Sequence, residues 1–433
     1  MSRPQRLSQL RLLGFTLYAT SAAFLTYFSM YAFRKTFAVA SFEHVDGWWH
    51  DVDFKTAIVI AQVIGYALSK FIGIKVISEM AHARRAAAIV ALVMCSQVAL
   101  VLFAVMPASW KPVALFLNGL PLGMIWGLVF SFLEGRRVSE VLGAGLSVSF
   151  VLSSGVVKSV GKWLVIERGV SELWMPAVTG FLFTPLLLLG VYLLSKVPAP
   201  SAADRRERNE RVPMTADDRK RFFLRYMPGL VALILVYMLL TGMRDFSDNF
   251  SAEIWAGLGF GDTPSVFSTT ALWTSILVLI PLAMVMFVRD NLRALLTNHA
   301  LVLFGIVVLG FSTLMFEHDY LGSETWMILH STGIYLAYIP FNCLLFDRMI
   351  AAVNDKANAG FLIYLADSMG YAGSVGILLY KQFLDVELSW VRFMIQSSWL
   401  LSILGVLLVA YSAWYFQQHL SSRAGRRELP VAS

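Results

Sequence analysis

The sequence predicts an all-α integral membrane fold, with about twelve transmembrane helices arranged as two pseudo-symmetric six-helix bundles. Three observations carry this expectation. The chain of 433 residues is 58% hydrophobic and has a mean hydropathy of +0.67, against roughly 45–50% apolar residues in soluble domains. Apolar runs near the ~20 residues needed to cross a bilayer recur along its whole length. One charged, proline-punctuated stretch then divides these runs into two sets of six.

In order, the spans fall at about 13–40, 54–80, 85–106, 112–134, 141–166 and 174–197, then at 223–250, 266–288, 297–316, 325–346, 358–381 and 390–416. The first run is too long for a signal-peptide core and has no small-residue cleavage site after it, so it reads as a retained helix. Residues 198–222 contain Pro198, Pro200 and Pro213 with the charged runs 204–208 and 217–221, and read as a cytoplasmic linker. The expected organisation is therefore an N-terminal bundle (1–197), a linker (198–222), a C-terminal bundle (223–420) and a cytoplasmic tail (421–433).

Charge fixes the expected orientation. With the N-terminus inside, about 23 of the 35 Lys and Arg residues lie in the tails and alternate loops. That asymmetry places both termini in the cytoplasm, and the expected location is a plasma membrane, the bacterial inner membrane. The net charge of +7 is then a topology signal, and no nucleic-acid partner is expected. Cys95 and Cys343 both fall inside spans and read as small packing residues. No phosphate-binding Gly-x-x-x-x-Gly-Lys-Ser/Thr loop, His-Glu-x-x-His motif or Gly-x-Ser-x-Gly elbow is present. The expectation is a non-enzyme with no metal and no cofactor, monomeric, whose partners are the bilayer and a small solute.

The halves resemble each other. Gly145, Ser153, Gly155 and Ser159-Val160-Gly161 align at one offset with Gly360, Ser368, Gly370 and Ser374-Val375-Gly376. Tyr27, Tyr31 and Arg34 have the same spacing as Tyr237, Thr241 and Arg244. Each trio would line one helix face, because residues four and seven apart stack on one side. Two parallel six-helix repeats are the plan of the major facilitator superfamily, in which substrate binds at the repeat interface near mid-membrane.

Within that plan, Arg34-Lys35-Thr36-Phe37-Ala38 and Tyr66-Ala67-Leu68-Ser69-Lys70-Phe71-Ile72 resemble helix 1 and helix 2 elements of the organophosphate:phosphate antiporter group. The resemblance is local, strongest over about residues 27–75. It implies that Arg34 binds phosphate, that Lys70 adds positive potential, and that transport is an exchange for inorganic phosphate. Gly242-Met243-Arg244-Asp245-Phe246-Ser247 resembles a further element, but the family's arginine position falls at Leu240, one turn before Arg244. The family's helix 5 histidine has no counterpart in Ser153-Ser154-Gly155, and the motif after helix 2 is reduced to Glu79 with Arg84-Arg85. These departures mark a divergent branch.

The expected substrate contacts are Arg34, Lys70 and Arg244, with Tyr31, Tyr66, Gln62, Tyr338 and Asn342 on polar or aromatic stripes beside them. Gln62, Tyr66 and Lys70 repeat at four-residue spacing, and Tyr335, Tyr338 and Asn342 form a stripe on the tenth span. A lysine near mid-span costs roughly 2.5–3.5 kcal/mol on insertion scales, so Lys70 is expected to have a task. An arginine fork suits phosphate or carboxylate. Asp367 carries a coupling proton or neutralises a lysine. Lys158, on the fifth span that the repeat relates to the helix of Asp367, is a further coupling or gating candidate, or else snorkels to the outer boundary. Glu134, Arg137, Asp347 and Arg348 read as gating salt bridges at the cytoplasmic ends of the fourth and tenth spans. Together these expectations describe a secondary transporter for a small anionic solute, such as a phosphate ester, working by alternating access. The alternative is a sensor of the same fold that binds its ligand without net transport.

Overall fold

The computed structural model describes residues 3–43, 45–48, 51–133, 139–198, 214–285, 288, 290–353, 355, 357, 359–383 and 388–427. Among them the regular structure is entirely helical. The helices are α1 (Arg3–Met30), α2 (Phe54–Glu79), α3 (His82–Val105), α4 (Lys111–Leu122), α5 (Ile125–Phe130), α6 (Ser139–Arg168) and α7 (Met175–Ser195). They are followed by α8 (Ala216–Asn249), α9 (Ser251–Gly257), α10 (Ser265–Val285), α11 (Asn291–Glu317), α12 (Ser323–Cys343), α13 (Leu345–Val353), α14 (Ala359–Phe383) and α15 (Trp390–Arg427).

Among the described residues ten helices are long and apolar enough to cross a membrane, or eleven when α12 and α13, bent by 50°, count as one span. The first apolar run lies in α1, which stands outside that count. The chain is an integral membrane protein. Its surface agrees: large apolar side chains such as Phe181, Met284 and Leu407 are exposed while serines, threonines and charged groups are buried. Lipid has no hydrogen bonds to offer, so polar groups must be satisfied inside the protein.

The residues forming the helix ends explain where they fall. Asp53 caps α2 by accepting from the Thr56 amide at 2.8 Å, and Asp290 caps α11 by accepting from the Arg293 amide at 2.8 Å. The Lys111 ammonium donates to the Phe103 and Ala104 carbonyls at 2.7 and 3.2 Å, satisfying acceptors that the end of α3 leaves open. Pro121 precedes the break between α4 and α5, and Pro340 precedes the bend between α12 and α13. Proline removes a backbone donor and crowds the preceding turn, which is where helices kink.

Two compact units emerge. The first contains residues 1–208, 247–275 and 378–390; the second contains 209–246, 276–377 and 391–433. In the first unit α2 and α4 approach at backbone contact. A Cβ on Gly65 would collide with the Phe116 carbonyl, and one on Gly119 with the Gln62 carbonyl. Only residues without a side chain allow that crossing, and it brings Gln62 against Asn118.

The first span departs from expectation. The sequence predicts one helix over 13–40, with Arg34 on its face. The helix instead stops at Met30 and passes into two short 3-10 turns, Tyr31–Phe33 and Thr36–Val39, with Arg34 and Lys35 between them. The reason is a competing set of hydrogen bonds. Gln62 Nε2 donates to the Arg34 carbonyl at 3.0 Å and Asn118 Nδ2 to the Phe33 carbonyl at 2.9 Å. Side chains of α2 and α4 thus take up carbonyls that the next helical turn would have used.

Candidate functional site

In the first unit the candidate site is built around that break. All residues from Tyr31 to Ala40 are buried, and Arg34 is 8% exposed. The Arg34 guanidinium lies over the Tyr66 ring at 3.7 Å from its centre, with the Tyr31 ring at 5.8 Å. The Lys70 ammonium is 5.7 Å from the centre of the same Tyr66 ring. Arg34, Lys70, Tyr31 and Tyr66 are therefore one group. An aromatic face attracts a cation through its quadrupole. The end of α1 also presents the negative pole of its backbone dipoles toward Arg34.

Gln62 belongs to the same neighbourhood but has a structural task. Its amide donates to the Arg34 carbonyl and, at 2.7 Å, to Asn118 Oδ1. Asn118 in turn reaches Ser96. The Gln62–Asn118–Ser96 chain holds the backbone of the break in place, which fixes the direction of Arg34.

A second ionic group lies in the first unit, and the sequence reading missed most of it. Asp248, near the end of α8, accepts from Lys35 at 2.7 Å through Oδ2 and from Lys158 through Oδ1. Ser154 adds its hydroxyl to Oδ1, and Lys35 also donates to Asn249 Oδ1 at 2.8 Å. Lys55 is bound by both Glu253 oxygens at 2.6 and 2.7 Å and by the Ala38 carbonyl at 3.0 Å. Burial pushes the Glu253 carboxyl up from its ordinary value, and the attraction of Lys55 offsets only part of that. Lys158 thus faces an aspartate and is 3% exposed, which answers the expectation that it snorkels. The signal available in sequence was Lys35, quoted in the Arg-Lys element; its partner stands 213 residues later.

In the second unit Arg244, Tyr338, Asn342 and Asp367 gather around Tyr237. The Tyr237 hydroxyl lies 2.6 Å from Asp367 Oδ1, 3.0 Å from the Tyr338 hydroxyl and 3.3 Å from Asn342 Oδ1. It has one proton, and the short contact to a carboxylate claims it. The Tyr237 and Tyr338 rings stack with centres 5.1 Å apart. Arg244 covers the Tyr338 ring at 4.2 Å and donates to Asp245 Oδ1 through Nη2 at 2.6 Å and Nε at 3.2 Å. Asp245 Oδ2 accepts from Ser374 at 2.8 Å. The charge of Arg244 is met by the next residue in the chain.

The remaining expected residues are scattered. Arg348 donates to Asn291 at 3.2 Å, and its neighbour Asp347 is exposed. Glu134 and Arg137, like linker residues 199–213, lie outside the described residues. His299 and His330 are buried and bonded to Ser412 and Ser398, consistent with packing between helices. No group of three or more His, Cys, Asp or Glu residues suited to a metal occurs among the described residues.

Solved structures extend this picture. A D-xylose-proton symporter is similar over 93% of this chain and 97% of its own, at 12% identity and a TM-score of 0.64. A mutant of the peptide transporter POT in complex with sulfate is similar over 93% and 95%, at 15% identity and a TM-score of 0.61. The nucleoside transporter NupG is similar over 92% and 98%, at 13% identity and a TM-score of 0.59. These are transporters of the major facilitator type, and the likeness shows that this chain has that fold. No curated protein matches by sequence. A family model described as "Family of unknown function (DUF5690)" matches residues 36–419, and the chain belongs to that family.

Proposed function

We propose that the protein is a secondary transporter for a small anionic solute, working by alternating access, with Arg34 as the principal anion contact and Lys70 supporting it. The observation that carries this reading is the buried Arg34 guanidinium at a helix break, sharing the Tyr66 ring with Lys70. A fixed guanidinium in a low-dielectric surrounding attracts an anion strongly, and its fork matches phosphate or carboxylate oxygens. The resemblance of Arg34-Lys35 and Ser69-Lys70-Phe71 to the organophosphate:phosphate antiporter group makes a phosphate ester, exchanged for inorganic phosphate, the first substrate class to test. Asp367, hydrogen-bonded to Tyr237, is the candidate proton carrier if coupling is to protons.

Reconstitution into proteoliposomes tests the proposal. Vesicles loaded with phosphate should take up labelled phosphate ester in a saturable way, and Arg34→Ala or Lys70→Ala protein inserted to the same level should not. Saturable binding with no accumulation or exchange assigns the chain to sensing. Unchanged anion affinity in both variants rejects Arg34 and Lys70 as the site.

A further inference from the structure

One hydroxyl proton in the second unit is contested by two acceptors. The Tyr237 hydroxyl, on a residue 1% exposed, lies 2.6 Å from Asp367 Oδ1 and 3.3 Å from Asn342 Oδ1. The Asn342 amide is oriented by its other end, where Nδ2 donates to the Tyr338 carbonyl at 3.2 Å. A carbonyl only accepts, so Oδ1 is the atom turned toward Tyr237. A phenol has one proton to give. At 2.6 Å the carboxylate holds it in a charge-assisted bond, and the 3.3 Å contact to Asn342 is long. The Tyr338 hydroxyl, 3.0 Å away, brings a proton of its own.

Protonation of Asp367 reverses the arrangement. A carboxylic acid has an O–H to donate, and its neutral oxygens accept more weakly than a carboxylate does. The new O–H turns to the Tyr237 oxygen, and the phenol proton turns to Asn342 Oδ1. The added proton stays on Asp367, and Tyr237 and Asn342 change only the direction of their hydrogen bonds. Asn342 is well placed to pass the change on. It stands two residues before Leu344, where α12 gives way to α13 at a bend of 50°. Pro340, in the same turn, has no amide to brace the helix. Other charged and titratable groups flank this path. On α8 they are Arg244 and Asp245, bound to each other. On α12 they are Tyr338 and, beside Arg244, Tyr335. On α14 itself Tyr364 and Tyr371 stand one turn from Asp367 on either side.

We propose that Tyr237 is a positioning residue that conveys the protonation state of Asp367 to the bend between α12 and α13, by donating to Asp367 when it is ionised and to Asn342 when it is protonated. This rests on the reading of Asp367 as the proton carrier and names how a proton there reaches a part of the fold that can move.

Hydrogen exchange of the purified full-length protein, without solute, tests the proposal. Asp367→Leu withdraws the carboxylate, so the phenol proton passes to Asn342 as it does on protonation; Asp367→Val is the smaller alternative if leucine is not accommodated. Exchange of the amides at 341–346 should slow by about 3- to 10-fold, the effect of one strengthened hydrogen bond. The same change at Asp367 should have no such effect in Tyr237→Phe, which keeps the ring stacked on Tyr338, or in Asn342→Leu. A merely structural Asp367 gives the opposite sign, because losing its bond loosens the bend. Unchanged or faster exchange at 341–346 therefore overturns the proposal. So does slowing that persists in Tyr237→Phe or Asn342→Leu. The measurement needs no transport, so it can fail while proton-coupled uptake succeeds, and the reverse.

Discussion

Arg34 and Arg244 close trios of the same spacing, Tyr27-Tyr31-Arg34 and Tyr237-Thr241-Arg244, yet their surroundings differ in kind. The second trio lies within one continuous helix, α8. The first is cut after Met30, and its arginine stands in a break held by Gln62 and Asn118. The residue that follows each arginine widens the contrast. After Arg244 comes Asp245, which binds it. After Arg34 comes Lys35, which turns to Asp248 instead. Arg244 is bound by its own neighbour, and Arg34 lies by the Tyr66 and Tyr31 rings. The lesson is that equal spacing of a motif does not give equal surroundings.

The largest effect should separate the two arginines by what they change. Arg34→Ala should lower transport of the anionic solute by about 100-fold or more, because two charge-assisted hydrogen bonds at about 1.5–3 kcal/mol each disappear. Its thermal stability should change little by comparison. Arg244→Ala should act mainly on stability. It takes from Asp245, 4% exposed, the charge that Arg244 supplies, and breaking a buried pair costs about 3–5 kcal/mol. The double variant Arg244→Ala, Asp245→Asn should recover most of that loss. Equal transport defects and no rescue would erase the distinction between the two sites.

A smaller effect tests why the first trio is cut. Asn118→Leu removes the donor that holds the Phe33 carbonyl and the acceptor for Gln62. Each stranded group costs about 1–3 kcal/mol, so unfolding should come several degrees earlier. Affinity for the solute should fall as well, since the direction of Arg34 depends on this backbone. Hydrogen exchange over residues 31–39 should speed up selectively, and unchanged exchange there would break the argument.

These contrasts also show what the sequence can and cannot reveal. The spans were legible because lipid imposes a length and a composition on every crossing segment: the run expected at 141–166 is α6 at Ser139–Arg168, and that at 297–316 lies within α11. The grouping of Arg34, Tyr66 and Lys70 was legible because four-residue spacing places Tyr66 and Lys70 on one face of α2. The break after Met30 was hidden. Residues 31–40 read as a continued apolar helix, and what stops it is a glutamine and an asparagine from other helices. The Asp248 cluster was hidden for the same reason, since its members are local in space and remote in sequence. Asp245 was visible beside Arg244 in the sequence, and the structure pairs the two.

The smallest of the effects concerns Tyr237, the second trio's counterpart of Tyr27. Its hydroxyl donates to Asp367 and meets Tyr338, so Tyr237→Phe removes a hydrogen bond to a carboxylate from a buried site. The expected loss is about 1.5–3 kcal/mol. Tyr27→Phe provides the comparison. Its ring packs against Tyr31 and Trp126, contacts that phenylalanine preserves, and its hydroxyl bonds to Tyr66, a neutral partner. If the Tyr237 bond is no stronger than that neutral one, the two substitutions should have similar effects on the unfolding midpoint. If its proton is held by Asp367, the Tyr237 variant should be the less stable of the two. Asp367→Asn should then remove most of the difference, because the partner whose charge strengthened the bond is gone.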